Sequence, residues 1–164
     1  MNYFAYGSNM ALARLRRRVA SAEFLGVYSL AGYDLRFHKI GQDGSAKCDA
    51  YRTGDSGHAV DGVVFDIDPA EVAALDRVEG VGSGYERASV RLIDKANDSL
   101  EAFTYFATRI NTALRPFSWY AHHVLVGARS AGLSSPYIAR IEAVVTVKDL
   151  DEEREARELR IHGV

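Results

Sequence analysis

Hydrophobic and polar residues alternate over much of the first two thirds of the chain, and this spacing is typical of β-strands with one buried face. The clearest case is Ala59 to Ile67, where successive side chains point to opposite faces of the predicted strand. Short apolar runs bounded by glycine and polar residues extend the pattern. They predict further strands at residues 3–6, at 24–39 with a turn at Ala31-Gly32, at 46–52, and at 85–94 and 100–107 as a hairpin.

Helical spacing follows the first strand and returns in the middle of the chain. Over residues 10–19 the apolar positions fall on one side, which predicts a helix with Ser8 or Asn9 as its N-terminal cap. The run Asp68-Pro69-Ala70-Glu71 predicts a second helix start, with an aspartate cap, proline in the first position and a glutamate placed for a capping box. Gly80 predicts the left-handed end of that helix.

The last third of the chain is predicted to be helical. One helix begins at Pro116 and is closed by Gly132, and a second begins at Ser134-Ser135-Pro136 and runs towards Val145. Strands first, helices inserted and helices last indicate an α+β fold with a curved or closed sheet. We expect one domain at residues 1–148 and a charged helix or tail at 149–164.

Composition narrows the class of protein. Hydrophobic residues make up 48% of the chain and charged residues 26%, which is the profile of a globular protein. A formal net charge of -2 argues against nucleic acid or an anionic membrane as the main partner. The single cysteine, Cys48, makes no internal disulfide, and zinc-ligand spacings are absent. The N-terminus shows no signal-peptide pattern, so a cytoplasmic location is expected.

The turn Tyr6-Gly7-Ser8-Asn9 is the first candidate site. A strand that ends in glycine and opens into a helix presents backbone N–H groups, which favour a carboxylate or a developing oxyanion. Glycine also lets a ligand approach the backbone closely. The alternative is an ordinary strand-to-helix turn with a good cap, and the turn alone leaves that alternative open.

Glu79 is the second candidate, within Leu75-Asp76-Arg77-Val78-Glu79-Gly80-Val81. It lies at the C-terminal end of a predicted helix, beside a glycine-rich loop. The helix dipole disfavours negative charge at that end, which suits a group that must accept a proton. A solvated surface glutamate in the last helical turn is the alternative.

Both segments resemble one family. Residues 3–10 resemble the opening YFAYGSN motif of the γ-glutamyl cyclotransferases (GGCT-like or AIG2-like proteins), and residues 75–81 resemble their LDxxEGV segment, whose glutamate is catalytic. The strand at 61–65 and the helical stretch at 126–137 also fit in order and spacing, so the likeness extends from residue 3 to about residue 147. It implies a small mixed β-barrel with flanking helices and a cavity at one end.

The resemblance also implies a reaction and a set of site residues. A γ-glutamyl amino acid or γ-glutamyl amine would be converted to 5-oxoproline and a free amine, with Glu79 as general acid and base and with no cofactor or metal. Residues bordering the substrate would be Tyr3, Phe4, Ala5, Tyr6, Gly7, Ser8 and Asn9, with Tyr85, Tyr105 and Tyr120 approaching the pocket. Their hydroxyls would bind the ligand, fix Glu79 or be satisfied elsewhere in the core. Members of the family often form dimers, which leaves a homodimer open.

Other chemistry-bearing residues carry weaker expectations. His122-His123 is a poor metal site, because adjacent residues on a helix point in different directions. The cluster of Arg14, Arg16, Arg17 and Arg18 is expected to form the solvent-facing side of a helix, and Cys48 has no histidine pattern to activate it. Asp76 shares a helical side with Glu79, but the resemblance assigns catalysis to Glu79 alone.

Three rival functions stay open at this point. A γ-glutamylamine cyclotransferase shares the mechanism but takes γ-glutamyl-lysine-type amines, and its relatives usually depart from the YGSN turn that this chain keeps. The second rival is an enzyme that removes a γ-glutamyl protecting group during biosynthesis of a natural product. The rival from a different class is a non-catalytic module that binds a small carboxylate.

Overall fold

The computed structural model describes residues 1–163, and its elements follow the order predicted from the sequence. The strands are β1 (Asn2–Ala5), β2 (Glu23–Ala31), β3 (Tyr33–Ile40), β4 (Ala46–Arg52), β5 (Ala59–Asp66), β6 (Tyr85–Ile93) and β7 (Ser99–Ala107). The α-helices are α1 (Leu12–Leu15), α2 (Val72–Glu79), α3 (Ser118–Ser130), α4 (Ser135–Glu142) and α5 (Glu152–Leu159). No helix within residues 1–163 is long and apolar enough to cross a membrane.

Five of the strands close into a barrel in the order β1-β5-β2-β6-β7. The predicted hairpin is confirmed, since β6 and β7 pair in register from Tyr85 opposite Ala107 to Ile93 opposite Ser99. The barrel is mixed because β1 runs antiparallel to β5 but parallel to β7, where Tyr3 pairs with Phe103. The α+β class and the small mixed barrel with flanking helices are therefore confirmed.

Strands β3 and β4 leave the barrel and form a separate two-stranded sheet. Gly32, whose φ is 81°, allows the tight turn between β2 and β3. Inside β3 the register shifts between Phe37 and Lys39, which marks a β-bulge against β4. A bulge reorients the side chains that follow it, and here it bears on the candidate site.

Helix α3 packs against the turn that follows β1. The contact depends on Gly127, because a Cβ at that position would lie 2.5 Å from both Ala11 N and Met10 Cβ. Real Cβ contacts of that length do not occur, so a larger residue would push the helix away from the turn. The glycine thereby fixes the distance between α3 and the N-terminal turn.

The first helix is shorter than predicted. Residues Ser8–Met10 form a 3-10 turn, and Ala11, with ψ of 102°, interrupts the path before α1 begins at Leu12. The prediction that Ser8 or Asn9 caps a helix is wrong, because neither end of this segment has a side-chain cap. The Asn9 side chain has other partners in the cleft described below.

The start of α2 also departs from the expectation in one detail. Asp68 caps the turn by accepting a hydrogen bond from Ala70 N at 2.8 Å, as predicted. Glu71 forms no capping box. Its carboxylate instead accepts hydrogen bonds from the backbone N–H groups of Ala20 and Ser21, each at 3.1 Å. The hydrogen-bond partners of this carboxylate lie about fifty residues away in sequence, so the local spacing of residues does not predict them. The left-handed end at Gly80 is confirmed by its φ of 71°.

The segment after residue 148 is anchored by buried charge. Asp149 is 1% exposed and accepts hydrogen bonds from Arg154 Nε at 2.6 Å and from Trp119 Nε1 at 2.8 Å. Glu158 of α5 pairs with Arg14 and lies 3.0 Å from His123 Nε2. These contacts hold α5 against α3 and α1.

Candidate active site

Glu79 is the last residue of α2, and its side chain is only 15% exposed. Its Oε1 accepts a hydrogen bond from Asn9 Nδ2 at 2.9 Å and lies 3.2 Å from Arg18 Nη1. Its Oε2 accepts no hydrogen bond from any residue in the described range 1–163. One carboxylate oxygen is therefore held by the protein, and the other is free to meet a ligand.

Asn9 connects the N-terminal turn to the glutamate. Its Nδ2 donates to the Tyr3 hydroxyl at 2.9 Å as well as to Glu79, which uses both of its N–H bonds. Its Oδ1 accepts from Arg18 Nη1 at 2.6 Å. A buried amide with all these partners has one orientation, so it fixes the position of the glutamate relative to the turn.

Of the four arginines predicted to face solvent, Arg14 is buried and Arg18 is half-buried. Arg18 reaches Asn9 and Glu79 with 21% of its side chain exposed, and Arg14 is 8% exposed as a residue. Arg14 pairs with Glu158 and lies 3.0 Å from His123 Nε2. The expectation is wrong for these two because distant parts of the chain supply their partners, Glu158 of α5 and Glu79 of α2.

A cleft of about 310 Å³, part of it open to solvent, lies between the N-terminal turn and α2. It brings together Glu79, eight of the ten substrate-bordering residues that the resemblance implied, and two residues that the sequence did not single out as ligand contacts. The lining residues are Tyr3, Tyr6, Gly7, Ser8, Asn9, Cys48, Glu79, Tyr85, Thr104, Tyr105 and Tyr120.

Phe4 and Ala5 do not line this cleft. The Phe4 side chain is fully buried in the core, and Gly62 of β5 packs closely on Phe4 and on the Ala5 carbonyl. The Phe4 carbonyl also accepts a hydrogen bond from Thr104 Oγ1 at 2.8 Å. These two residues therefore support the cleft from behind, along the line where β1 meets β7.

The turn at the floor of the cleft presents free backbone donors. Met10 N donates to the Gly7 carbonyl and Ala11 N to the Ser8 carbonyl, while the amides of Gly7 and Ser8 have no acceptor among residues 1–163. The Gly7 backbone, with φ of -113°, needs no glycine for its conformation. A Cβ there would lie 3.0 Å from Cys48 Cβ, so a larger residue would press on Cys48 and narrow the cleft.

The tyrosine hydroxyls of the cleft have protein partners, and none of them contacts Glu79. Tyr85 donates to the Cys48 carbonyl at 2.6 Å, Tyr120 accepts from Cys48 N at 3.0 Å, and Tyr6 donates to the Tyr105 carbonyl. Burial raises the pKa of all these phenols above the usual range, so they remain neutral at physiological pH.

Asp76 has different hydrogen-bond partners from Glu79. Its Oδ1 accepts from the Tyr105 hydroxyl at 2.7 Å, and its Oδ2 lies 2.8 Å from Arg87 Nη1. Both oxygens are therefore engaged at the edge of the site. The aspartate positions Tyr105, and Glu79 is the carboxylate with a free oxygen.

A larger outer chamber of about 820 Å³ adjoins the cleft and opens to solvent. Four residues line both spaces, and Glu79 is among them: Ser8, Glu79, Tyr85 and Tyr120. The remaining wall is rich in charged side chains from α1, the β3–β4 region and α5, namely Arg14, Arg18, Lys39, Asp43, Lys47, Arg154 and Glu158. Glu79 is therefore one of the residues at the boundary between the cleft and the chamber.

The comparisons with known proteins bear on the same residues. The model of the AIG2-like family matches residues 59–141, half of the chain, including Glu79, Tyr85, Tyr105 and Tyr120. The chain belongs to the AIG2-like family.

Relatives of this family member carry a consistent name. The human protein named gamma-glutamylcyclotransferase is 29% identical over 149 residues, covering 87% of this chain and 77% of the relative. The mouse protein of the same name is 28% identical with the same coverage. A solved structure named gamma-glutamyl cyclotransferase has a TM-score of 0.85 at 26% identity and covers 97% of this chain and 98% of that one. The family resemblance read from the sequence is confirmed.

Several residues of this AIG2-like site were missed or set aside at the level of sequence. Cys48 lines the cleft, but burial raises the pKa of its thiol to about 12, so it is a packed thiol rather than a thiolate. The helical spacing predicts that Arg18 faces solvent, and no sequence pattern marks Lys39 or Thr104. No three His, Cys, Asp or Glu side chains within residues 1–163 group as metal ligands.

Proposed function

We propose that this chain is a γ-glutamyl cyclotransferase that converts a γ-glutamyl amino acid or γ-glutamyl amine to 5-oxoproline and a free amine. One observation carries the proposal: Glu79, with a free carboxylate oxygen, stands where the inner cleft joins the outer chamber. The names of the human and mouse relatives support an enzyme of this kind. The reacting bond would then lie at the junction, with the γ-glutamyl group inside and the leaving amine outside.

The inner cleft suits the γ-glutamyl group. The free amides of Gly7 and Ser8 supply donors for the substrate's α-carboxylate or for the oxyanion that develops on the γ-carbonyl. The Ser8 hydroxyl, which has no partner among residues 1–163, adds another donor at the same place. The neutral phenols around it line the cleft without adding a competing negative charge.

The chemistry requires only proton transfer and a folded substrate. Glu79 accepts a proton from the substrate's α-ammonium group, and the freed amine attacks the γ-carbonyl carbon to form the five-membered ring. The carbon–nitrogen bond to the leaving amine then breaks as Glu79 returns the proton to that nitrogen. The ammonium loses two protons in becoming the lactam N–H, and the departing nitrogen gains two in becoming an ammonium, so the enzyme ends unchanged.

The contacts of Glu79 fit this double use. Asn9 and Arg18 hold Oε1, so Oε2 keeps a fixed direction while its protonation state changes. Because both reacting groups belong to one substrate, positioning supplies much of the rate enhancement.

A panel of γ-glutamyl amino acids and γ-glutamyl amines tests the proposal by detection of 5-oxoproline. We expect release from at least one member, with the free amine formed in equal amount. Binding of these compounds without any 5-oxoproline would instead identify a non-catalytic module for small carboxylates. Turnover of γ-glutamyl-lysine-type amines alone would identify a γ-glutamylamine cyclotransferase.

A further inference from the structure

The outer chamber holds one cation without an acidic partner. Its other cationic side chains are each neutralised by a carboxylate: Arg14 by Glu158, Arg18 by Glu79, Lys47 by Asp43 and Arg154 by Asp149. Lys39 alone forms no ion pair or hydrogen bond through Nζ with any residue from 1 to 163. One positive charge is therefore left over beside the catalytic carboxylate.

Lys39 is buried far more than an ordinary lysine. The residue is 7% exposed, and its Nζ lies 4.6 Å from the centre of the Tyr85 ring. Burial is the largest influence on its pKa, which is lowered, while Glu79 and Asp43 act to raise it. A buried ammonium without a carboxylate partner is costly, and a contact with one aromatic face offsets only part of that cost.

The fold directs Lys39 into the chamber by two specific devices. The bulge between Phe37 and Lys39 shifts the register of β3 against β4, which buries both His38 and Lys39. Gly84 then leaves room for the ammonium, because a Cβ at that position would lie 2.9 Å from Lys39 Nζ. The lysine is therefore held next to Tyr85, one of the residues that line both the cleft and the chamber.

We propose that Lys39 is a specificity residue that binds an anionic group on the leaving side of the substrate. The inference rests on the proposed function, which places the leaving amine in the outer chamber. A single unpaired cation matches a single carboxylate, as in the leaving amino acid of a γ-glutamyl amino acid. Simple γ-glutamyl amines have no group to meet it.

Two substrates that differ only in this carboxylate test the assignment: γ-glutamyl-L-alanine and γ-glutamyl-ethylamide. The wild-type enzyme is expected to prefer the alanine compound. A charge-assisted hydrogen bond corresponds to a factor of roughly 10–100. In Lys39→Met, kcat/KM for γ-glutamyl-L-alanine is expected to fall by about that factor, mainly through KM, while the ethylamide changes by less than about threefold.

Two further variants separate a binding role from a structural one. Lys39→Arg keeps the charge and is expected to restore part of the preference, whereas Lys148→Met removes an exposed lysine of the C-terminal region and is expected to leave both substrates unchanged. The thermal midpoint of Lys39→Met is expected to equal or exceed that of the wild type, because an unpaired buried charge has been removed.

Equal turnover of the two substrates by the wild type, or an equal loss for both in Lys39→Met, would overturn the assignment. Absence of turnover for both, and for the rest of the γ-glutamyl panel, would contradict the proposed cyclotransferase reaction instead. Calorimetric titration of the two compounds then decides on Lys39 independently. Tighter binding of γ-glutamyl-L-alanine that is lost in Lys39→Met supports the anion site, and equal binding rules it out.

Discussion

Acidification is expected to loosen the attachment of the C-terminal helix, because that attachment contains a buried neutral histidine. His123 of α3 is completely buried and faces Arg14, Glu158 and His162, whose Nε2 lies 2.6 Å from His123 Nδ1. Burial lowers the pKa of His123 to about 4, with Glu158 opposing that shift and Arg14 adding to it. Between about pH 4 and pH 6.5, His123 therefore stays neutral in the folded chain but is protonated in the unfolded chain.

The sign and size of the effect follow from these two states. Since the unfolded histidine titrates near its ordinary pKa of 6.5 and the folded one near 4, stability is complete above about pH 6.5 and is lost as the pH falls towards 4. The total loss is about 3.4 kcal/mol, of which about 2 kcal/mol falls between pH 7.5 and pH 5. Glu158, whose pKa is lowered to about 2 chiefly by its hydrogen bond with His123, adds a further loss only below about pH 4.5.

Urea unfolding at pH 7.5 and pH 5 measures this difference directly. His123→Asn is expected to be less stable at both pH values but to lose most of the difference between them. His58→Asn, which changes an exposed histidine, is expected to keep the wild-type difference. A wild-type protein equally stable at both pH values would refute the reasoning, as would a His123→Asn variant with the full wild-type loss.

Three smaller predictions concern the packing of the site. Gly127→Ala should lower the free energy of unfolding by about 1–3 kcal/mol, because the new methyl group overlaps the N-terminal turn, whereas Gly57→Ala in an exposed loop should change it little; equal urea midpoints would contradict this. Asn9→Ala should cost about 1–3 kcal/mol and reduce 5-oxoproline release, since it removes the donor to the buried Tyr3 phenol and leaves Glu79 with Arg18 as its remaining contact, while Asn2→Ala should do neither. Cys48, with its pKa raised to about 12, should react with iodoacetamide at pH 8 far more slowly in the native than in the urea-unfolded protein, and equal rates would show that the thiol is not buried.

The parts of the fold with strong local signals were predicted from the sequence. The alternation in β6 and β7, together with the turn between them, gave the hairpin nearly to the residue. Gly80 gave the end of α2, and with it the place of Glu79, because a left-handed helix end favours glycine wherever it occurs. Each of these features is encoded within a few residues.

Features that depend on contacts between residues far apart in sequence could not be predicted from local patterns. Asparagine is a residue type that favours helix caps. Asn9 instead contacts Glu79, 70 residues away, and Arg18, 9 residues away, and these contacts position the glutamate. The bulge that buries Lys39 depends on pairing with β4, and nothing in the residues around it marks the shift. The local sequence predicts that Arg14 faces solvent, but in the structure Arg14 pairs with Glu158 of α5.

Glu79 is the group that moves the proton in the proposed reaction. Glu79→Gln keeps the size of the side chain and an oxygen for Asn9 to contact, and it removes the base. Release of 5-oxoproline from γ-glutamyl-L-alanine is expected to fall by on the order of 10²–10⁴ with the urea midpoint little changed, while Glu86→Gln, an exposed change on the neighbouring strand, keeps the wild-type rate. A folded Glu79→Gln enzyme that works at the wild-type rate would contradict the mechanism.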